Sequence, residues 1–162
     1  MRTVLECASK GAEGKSELEQ FKSNQPQFQT TFETPLKNLR SFVETIIEAT
    51  DSPAAATAVI DQVIFEPRAL ARLMMRHSID PAFERGFRLR ATGVSHVKVL
   101  LRAMLNEWID FLFLPNWQSF AIYADHDEFT TFYFSSRPVV DHISEVLLAN
   151  GFKPETKFVR RF

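Results

Sequence analysis

The apolar and polar positions divide the chain into an unpatterned opening and a strongly patterned remainder. Residues 1–33 are dominated by Gly, Ser, Lys, Glu and Gln, and the stretch SNQPQFQTTF sustains no helical period. This segment reads as a flexible or loosely docked N-terminal arm. A short helix around Ser16–Lys22 fits within it, and Phe21, Phe28 and Phe32 are placed to tack it onto the body. Residues 34–162 read as a single α+β domain.

Within that domain three capping residues precede proline: Thr34-Pro35, Ser52-Pro53 and Asp80-Pro81. The first predicts a helix to about Ala49, with Leu36, Leu39, Phe42, Val43, Ile46 and Ile47 on one face. The second predicts a helix over 53–65, ended by Glu66-Pro67. A third follows over 68–77, with Leu70, Leu73 and Met74 inward. Asp80-Pro81 predicts a short helical turn ending near Gly86, and FRLRATG a short extended piece. The longest predicted helix is Ser95–Phe113, apolar around most of its circumference. Lys98, Arg102, Asn106 and Asp110 form one narrow polar stripe along it. A helix of that kind is largely surrounded, so it is expected at the centre of the helical half.

The period then changes to two. Ser119–Ala124 and Phe129–Ser135 read as strands joined by the tetrapeptide DHDE, a common hairpin loop length. Ser136 caps a helix over 137–150, Asn150-Gly151 stops it, and Thr156–Phe162 reads as a last strand. The expected fold class is therefore α+β. A helical N-terminal half of about four helices packs on a small antiparallel β-β-α-β sheet of strand order 2-1-3. The apolar FAIYA strand would be central and the polar strands its edges.

Length and composition agree with one domain: 162 residues, 45% hydrophobic, enough to bury a core without disulfides. Cys7 is the only cysteine, which demands no oxidising compartment. The first residues lack the apolar core of a signal peptide. The longest apolar stretch, 97–114, carries too many charges to span a membrane. A cytoplasmic protein is the expectation. There are 16 Phe against 2 Tyr and 2 Trp, which fits a Phe-rich core with some Phe left for a partner surface.

Charge is segregated under a net of −1. Residues 1–65 are net −3, residues 66–102 net +5, residues 103–150 net −6 and residues 151–162 net +3. The basic stretch is made of Arg68, Arg72, Arg76, Arg85, Arg88, Arg90 and Arg102 with Lys98. Guanidinium groups suit forked contacts to carboxylate and phosphate. Two arrangements follow: the basic and acidic segments pair with each other inside the fold, or the arginines form a basic face.

Most catalytic signatures are missing. There is no GxGxxG, GxxxxGK, HExxH, CxxC or GxSxG pattern, and no two His stand four apart. No metal site and no cofactor are expected. The residues Tyr123, Asp125, His126, Asp127, Glu128 and Tyr133 are the candidate binding set: an acidic hairpin tip with flanking tyrosines. Asp also favours turns for its own sake, because its carboxylate bonds nearby backbone N–H groups.

The function expected from these features is a small non-enzymatic interaction or regulatory protein, immunity- or inhibitor-like in size and composition. It would dock a protein partner through the acidic tip. The alternative is nucleic-acid binding through Arg85, Arg88, Arg90 and Arg102, with Phe83 and Phe87 interleaved. A third reading is a small enzyme whose carboxylates and imidazoles, from Glu107, Asp110, His126 or His142, converge in a cleft. Edge strands leave a homodimer open.

Overall fold

The structure is a computed structural model and describes residues 4–9, 12–116 and 120–162. Its strands are β1 (Val4–Ser9), β2 (Phe28–Glu33), β3 (Ala55–Val63), β4 (Arg88–Thr92), β5 (Ile109–Pro115), β6 (Phe120–Ala124) and β7 (Phe129–Phe134). Its α-helices are α1 (Ala12–Ser23), α2 (Leu39–Ala49), α3 (Arg68–Arg76), α4 (Val94–Leu105) and α5 (Arg137–Ala149). A 3-10 turn, Leu36–Asn38, leads into α2. The strands form one seven-stranded sheet of order β1-β4-β3-β5-β6-β7-β2, antiparallel at every pairing.

This overturns the expected helical half on a small sheet of order 2-1-3: the protein is a sheet-rich α+β fold. The segment 53–65 is not a helix but β3, which lies between β4 and β5. Its residues 55–61 are all buried, so both faces are covered and the apolar run carries no alternation. Such a run cannot be told from a buried helix by period, and here the β-branched Thr57, Val59, Ile60 and Val63 decide for strand. The long helix expected over 95–113 is two elements. Helix α4 stops at Leu105, residues 106–108 turn, and β5 begins at Ile109. Alternate residues of β5 face opposite sides: Ile109, Phe111 and Phe113 join the helix-covered core, while Leu112 and Leu114 join the other.

Two further elements differ. Residues 80–84 form no helix. The C-terminal 156–162 is not a strand; after an isolated bridge between Phe32 and Pro154 it runs irregularly across the sheet. The described part of 1–33 supplies β1, α1 and β2, the first and last of these being the two sheet edges. The hairpin β6–β7, the helices α2, α3 and α5, and the extended β4 lie close to where the pattern places them; Ser119 is outside the described residues.

The helices α2, α3, α4 and α5 all cover one face of the sheet. Phe42, Ile46, Leu70, Met74, Leu100, Met104, Ile143 and Leu147 meet Ile60, Phe111, Phe113, Ile122, Phe132 and Phe134 there. Most of the Phe excess is spent in this core, where Phe32, Phe42, Phe87, Phe111, Phe113, Phe132 and Phe134 are fully buried. Each contributes about 2–3 kcal/mol relative to exposure. Helix α4 packs between α2 and α3, and α5 packs on the far side of α2. Among the described residues no helix is long and apolar enough to cross a membrane.

The opposite face is covered by α1 and the C-terminal segment. Leu18 and Phe21 of α1 meet Val59, Leu112, Ala121, Tyr123 and Tyr133. Phe162 touches Phe21 and Tyr123, and Phe158 stacks on Phe129. The approach of α1 depends on Gly14. A Cβ at that position would lie 1.9 Å from the carbonyl oxygen of Gly86. Backbone cannot yield as a flexible side chain can, so Gly14→Ala must push α1 off the sheet. The expected loss is about 1–3 kcal/mol of unfolding free energy, read from the urea midpoint. An unchanged midpoint would show that α1 is not seated there.

Candidate functional site

Three polar constellations stand out, and they differ in how far their charges are matched within the fold. The first is buried under α1. The β3–β5 register shifts between Ile60 and Gln62, which marks a bulge at Asp61. Its carboxylate accepts from Arg85 Nε at 2.8 Å, from the Tyr123 hydroxyl at 2.5 Å and from the Lys22 ammonium. Burial works to raise its pKa, but the hydrogen bonds from Arg85, Lys22 and Tyr123 outweigh burial and hold it below the usual carboxylate range. Burial and the Asp61 contact push the Tyr123 phenol well up, so it stays a neutral donor. Arg85 also reaches Glu19, and Arg88 pairs with Glu13 and Glu17. The acids of α1 therefore neutralise these two arginines.

The second constellation is the DHDE hairpin. Asp125 is spent on structure: one oxygen accepts the N–H groups of Asp127 and Phe129, and the other accepts from Arg160 at 2.5 Å. Arg160 is itself buried, donates to Thr131, and lies over the Tyr123 ring. His126 Nδ1 lies 2.7 Å from Asp110, which also accepts the His126 backbone N–H. That hydrogen bond raises the imidazole pKa. Glu128 has a left-handed backbone at φ 67°, and its carbonyl accepts from Thr34. Of the tip, only the Asp127 and Glu128 side chains are exposed. Tyr123 and Tyr133 are buried rather than flanking a surface. Tyr133 packs edge-on to Phe21, and its hydroxyl meets no hydrogen-bond partner among the described residues.

The expected catalytic grouping assembles only in part. Glu107 and His126 line one small cleft with Leu36, Trp108 and Glu128, and Asp110 holds His126 there. Glu107, however, accepts the backbone N–H of Ala69 at the start of α3. His142 is on α5, outside the cleft lining. Among the described residues no group of three or more His, Cys, Asp or Glu is arranged to hold a metal ion.

The third constellation lies on the helical face. A groove of about 440 Å³ runs between the start of α2, α3 and the outer side of α4. Lys37 and Arg40 stand on one bank, Arg72 and Arg76 on the other, and Arg102 rises from α4. No carboxylate is among its lining residues. The groove continues along α4 into a second hollow of about 360 Å³, where Lys98 and Ser95 join Arg40, Val99 and Arg102 and where Glu44 is the acid present. Glu44 pairs with Arg40, and Glu48 approaches Lys98 at 3.9 Å.

The sequence-predicted arginines thus part company. Arg85 and Arg88 face α1, Arg90 is exposed on β4 beside Glu6 of β1, and Arg102 belongs to the helical groove. Lys37 and Arg40 lie outside the basic stretch and joined no predicted site. A signal existed for Arg72 and Arg76, which recur at i, i+4 on an exposed helix face. Compared with protein families, curated proteins and solved structures, the chain matches none.

Two measurements probe the buried contacts. Asp61→Asn is expected to cost about 2 kcal/mol, discounted because Lys22 and Arg85 retain some water. Since folding lowers the Asp61 pKa, its contribution is present above the unfolded value and fades as pH falls through the folded one. An acid limb of the stability profile unchanged by the substitution would contradict this. For His126 the sign reverses. Folding raises its pKa, so the gain is complete below about pH 6.5 and is lost as pH rises through the folded value. The stability difference between wild type and His126→Gln is therefore expected to be larger at about pH 5.5 than at about pH 9.

Proposed function

We propose that this protein is a non-enzymatic interaction module that binds an anionic macromolecular partner, with the groove between α2, α3 and α4 as its docking surface. One observation carries the reading: five cations surround the groove and no carboxylate lines it. By contrast, the charges at Asp61, Arg88 and Asp125 are matched within the fold, and in the groove Arg40 is matched by Glu44. Like charges held together at a surface cost self-repulsion, which a partner of opposite charge relieves. They also speed encounter with such a partner and sort partners by sign. Where the groove meets the cleft the two share Leu36 and Asn106, and the cleft beyond adds Trp108 together with Glu107 and Glu128. Phe65 packs edge-on against Trp108. Trp and Arg are both enriched in strong binding spots, and here they line adjoining hollows. The hairpin tip carries less of this reading, because Arg160 already neutralises Asp125.

A protein partner is the reading preferred here. Nucleic acid is the second, favoured by the row Arg68, Arg72 and Arg76 along α3. Capture from host lysate by tagged protein, with and without nuclease, separates the two. Arg72→Glu/Arg76→Glu is the control, since both side chains are exposed and folding should be unaffected. The expected result is one dominant protein, retained after nuclease, lost by the double variant and weakened by salt. Capture that survives charge reversal would sink the groove as the docking surface. Capture lost on nuclease treatment would move the function to nucleic acid.

A further inference from the structure

We propose that the groove seats an acidic amphipathic helix of a protein partner; this rests on reading the groove as the docking surface. Helix α4 lies between α2 and α3, so its outward stripe forms a floor and its neighbours form the banks. That stripe is Ser95, Val99, Arg102, Ala103 and Asn106, spaced as one helical face. With twelve residues, α4 gives a floor of roughly 18 Å, the length of about three helical turns.

The lining has two chemistries: cations stand on both banks, and the floor sets Arg102 and Asn106 beside Val99 and Ala103. Val99 of α4 and Leu36 before α2 are the exposed aliphatic side chains, Ala69 and Ala103 are half-buried, and Leu39 and Leu73 are buried at the base. The two alanines leave room where the helices meet. Above this floor stand the cations of both banks. An occupant must therefore carry an apolar stripe flanked by acids on both sides. That is the pattern of an amphipathic helix laid in a groove, with apolar residues at i, i+3, i+4 and i+7.

Two other anionic occupants fit less well. Single-stranded nucleic acid binds through phosphate contacts combined with bases stacked on aromatic rings. Among the described residues no aromatic side chain lines either part of the groove. A flat anionic surface would touch the banks and miss the floor.

The test uses the full chain and four labelled probes. One is a peptide of about 18 residues with Leu at the helical spacing and Glu elsewhere. The others are its scrambled isomer, polyglutamate, and a single-stranded oligonucleotide of similar charge. Two floor variants, Val99→Asn at an exposed site and Ala103→Phe at a half-buried one, leave every charge in place. Melting curves confirm their folding. The amphipathic peptide is expected to bind at least about tenfold more tightly than the scrambled one. Both floor variants should weaken it at least about fivefold and leave polyglutamate unaffected. Equal binding of the two peptides, or no effect of either floor variant, overturns the helix and leaves an electrostatic groove. Preference for the oligonucleotide overturns it in favour of nucleic acid. If none of the four binds, the reading of the groove as a docking surface falls with it.

Discussion

The carboxylate of Asp61 is the constraint on which the second face of the sheet depends. An ionised group this deep is costly unless each lone pair is met, and here three donors from three elements meet it: Lys22 of α1, Arg85 before β4, and Tyr123 of β6. The apolar contact beneath α1 is small, centred on Leu18 and Phe21, and would hold a single helix loosely. The ion cluster adds direction to that contact. It fixes where α1 lies along the sheet, and Gly14 lets the helix come close enough for the charges to meet. A second buried pair, Arg160 with Asp125, does the same for the C-terminal segment. Its guanidinium lies over both Tyr123 and Phe158, so the two pairs share an aromatic wall.

Local chemistry made about half of this architecture legible. Where one side of an element meets water, period and punctuation were enough. Helices α2, α3 and α5 have clear apolar stripes, and the β6–β7 hairpin has alternating strands around an acidic turn. Reading failed where an element is covered on both sides. Strand β3 lies under helices on one face and under α1 on the other, and its Ala-rich start resembles a helix as well as a strand. Strand β5 follows α4 with no proline or glycine between them. Two buried elements in series then present one long apolar run. The sheet's width could not be inferred once these two central strands were counted as helix.

The site was legible in composition and illegible in partnership. The basic stretch is real, yet the fold divides it. Arg85 and Arg88 turn toward α1, whose Glu13, Glu17 and Glu19 come from a distant, unpatterned part of the sequence. Arg72, Arg76 and Arg102 turn the other way and gain Lys37 and Arg40 as neighbours. Charge counts along a sequence give the supply of each sign. Which charges are cancelled depends on which elements pack together, and that is set by the apolar faces.

The two faces of the sheet therefore use charge in opposite ways, and the difference has a physical basis. Under α1 there is too little apolar surface to secure the layer, so ionic pairs are drawn inward and do structural work at a desolvation cost. On the helical face four amphipathic helices already cover the sheet, and core packing there needs no ion pair. Arg40 and Lys98 pair with Glu44 and Glu48 along the helices, while Arg72, Arg76 and Arg102 line the groove with no carboxylate in its lining. A fold that already holds charge inward at Asp61 had the acids with which to neutralise this groove. Glu44 and Glu48 lie along its far part, beside Arg40 and Lys98, while the part between Arg72, Arg76 and Arg102 is lined by none. This end also meets the cleft, where Leu36 and Trp108 lie beside Glu107 and Glu128. Charge and apolar exposure coincide there, and each alone would be an ordinary feature of a surface. In general, a surface binds a specific partner rather than a generic counter-ion where desolvation and charge act in one place.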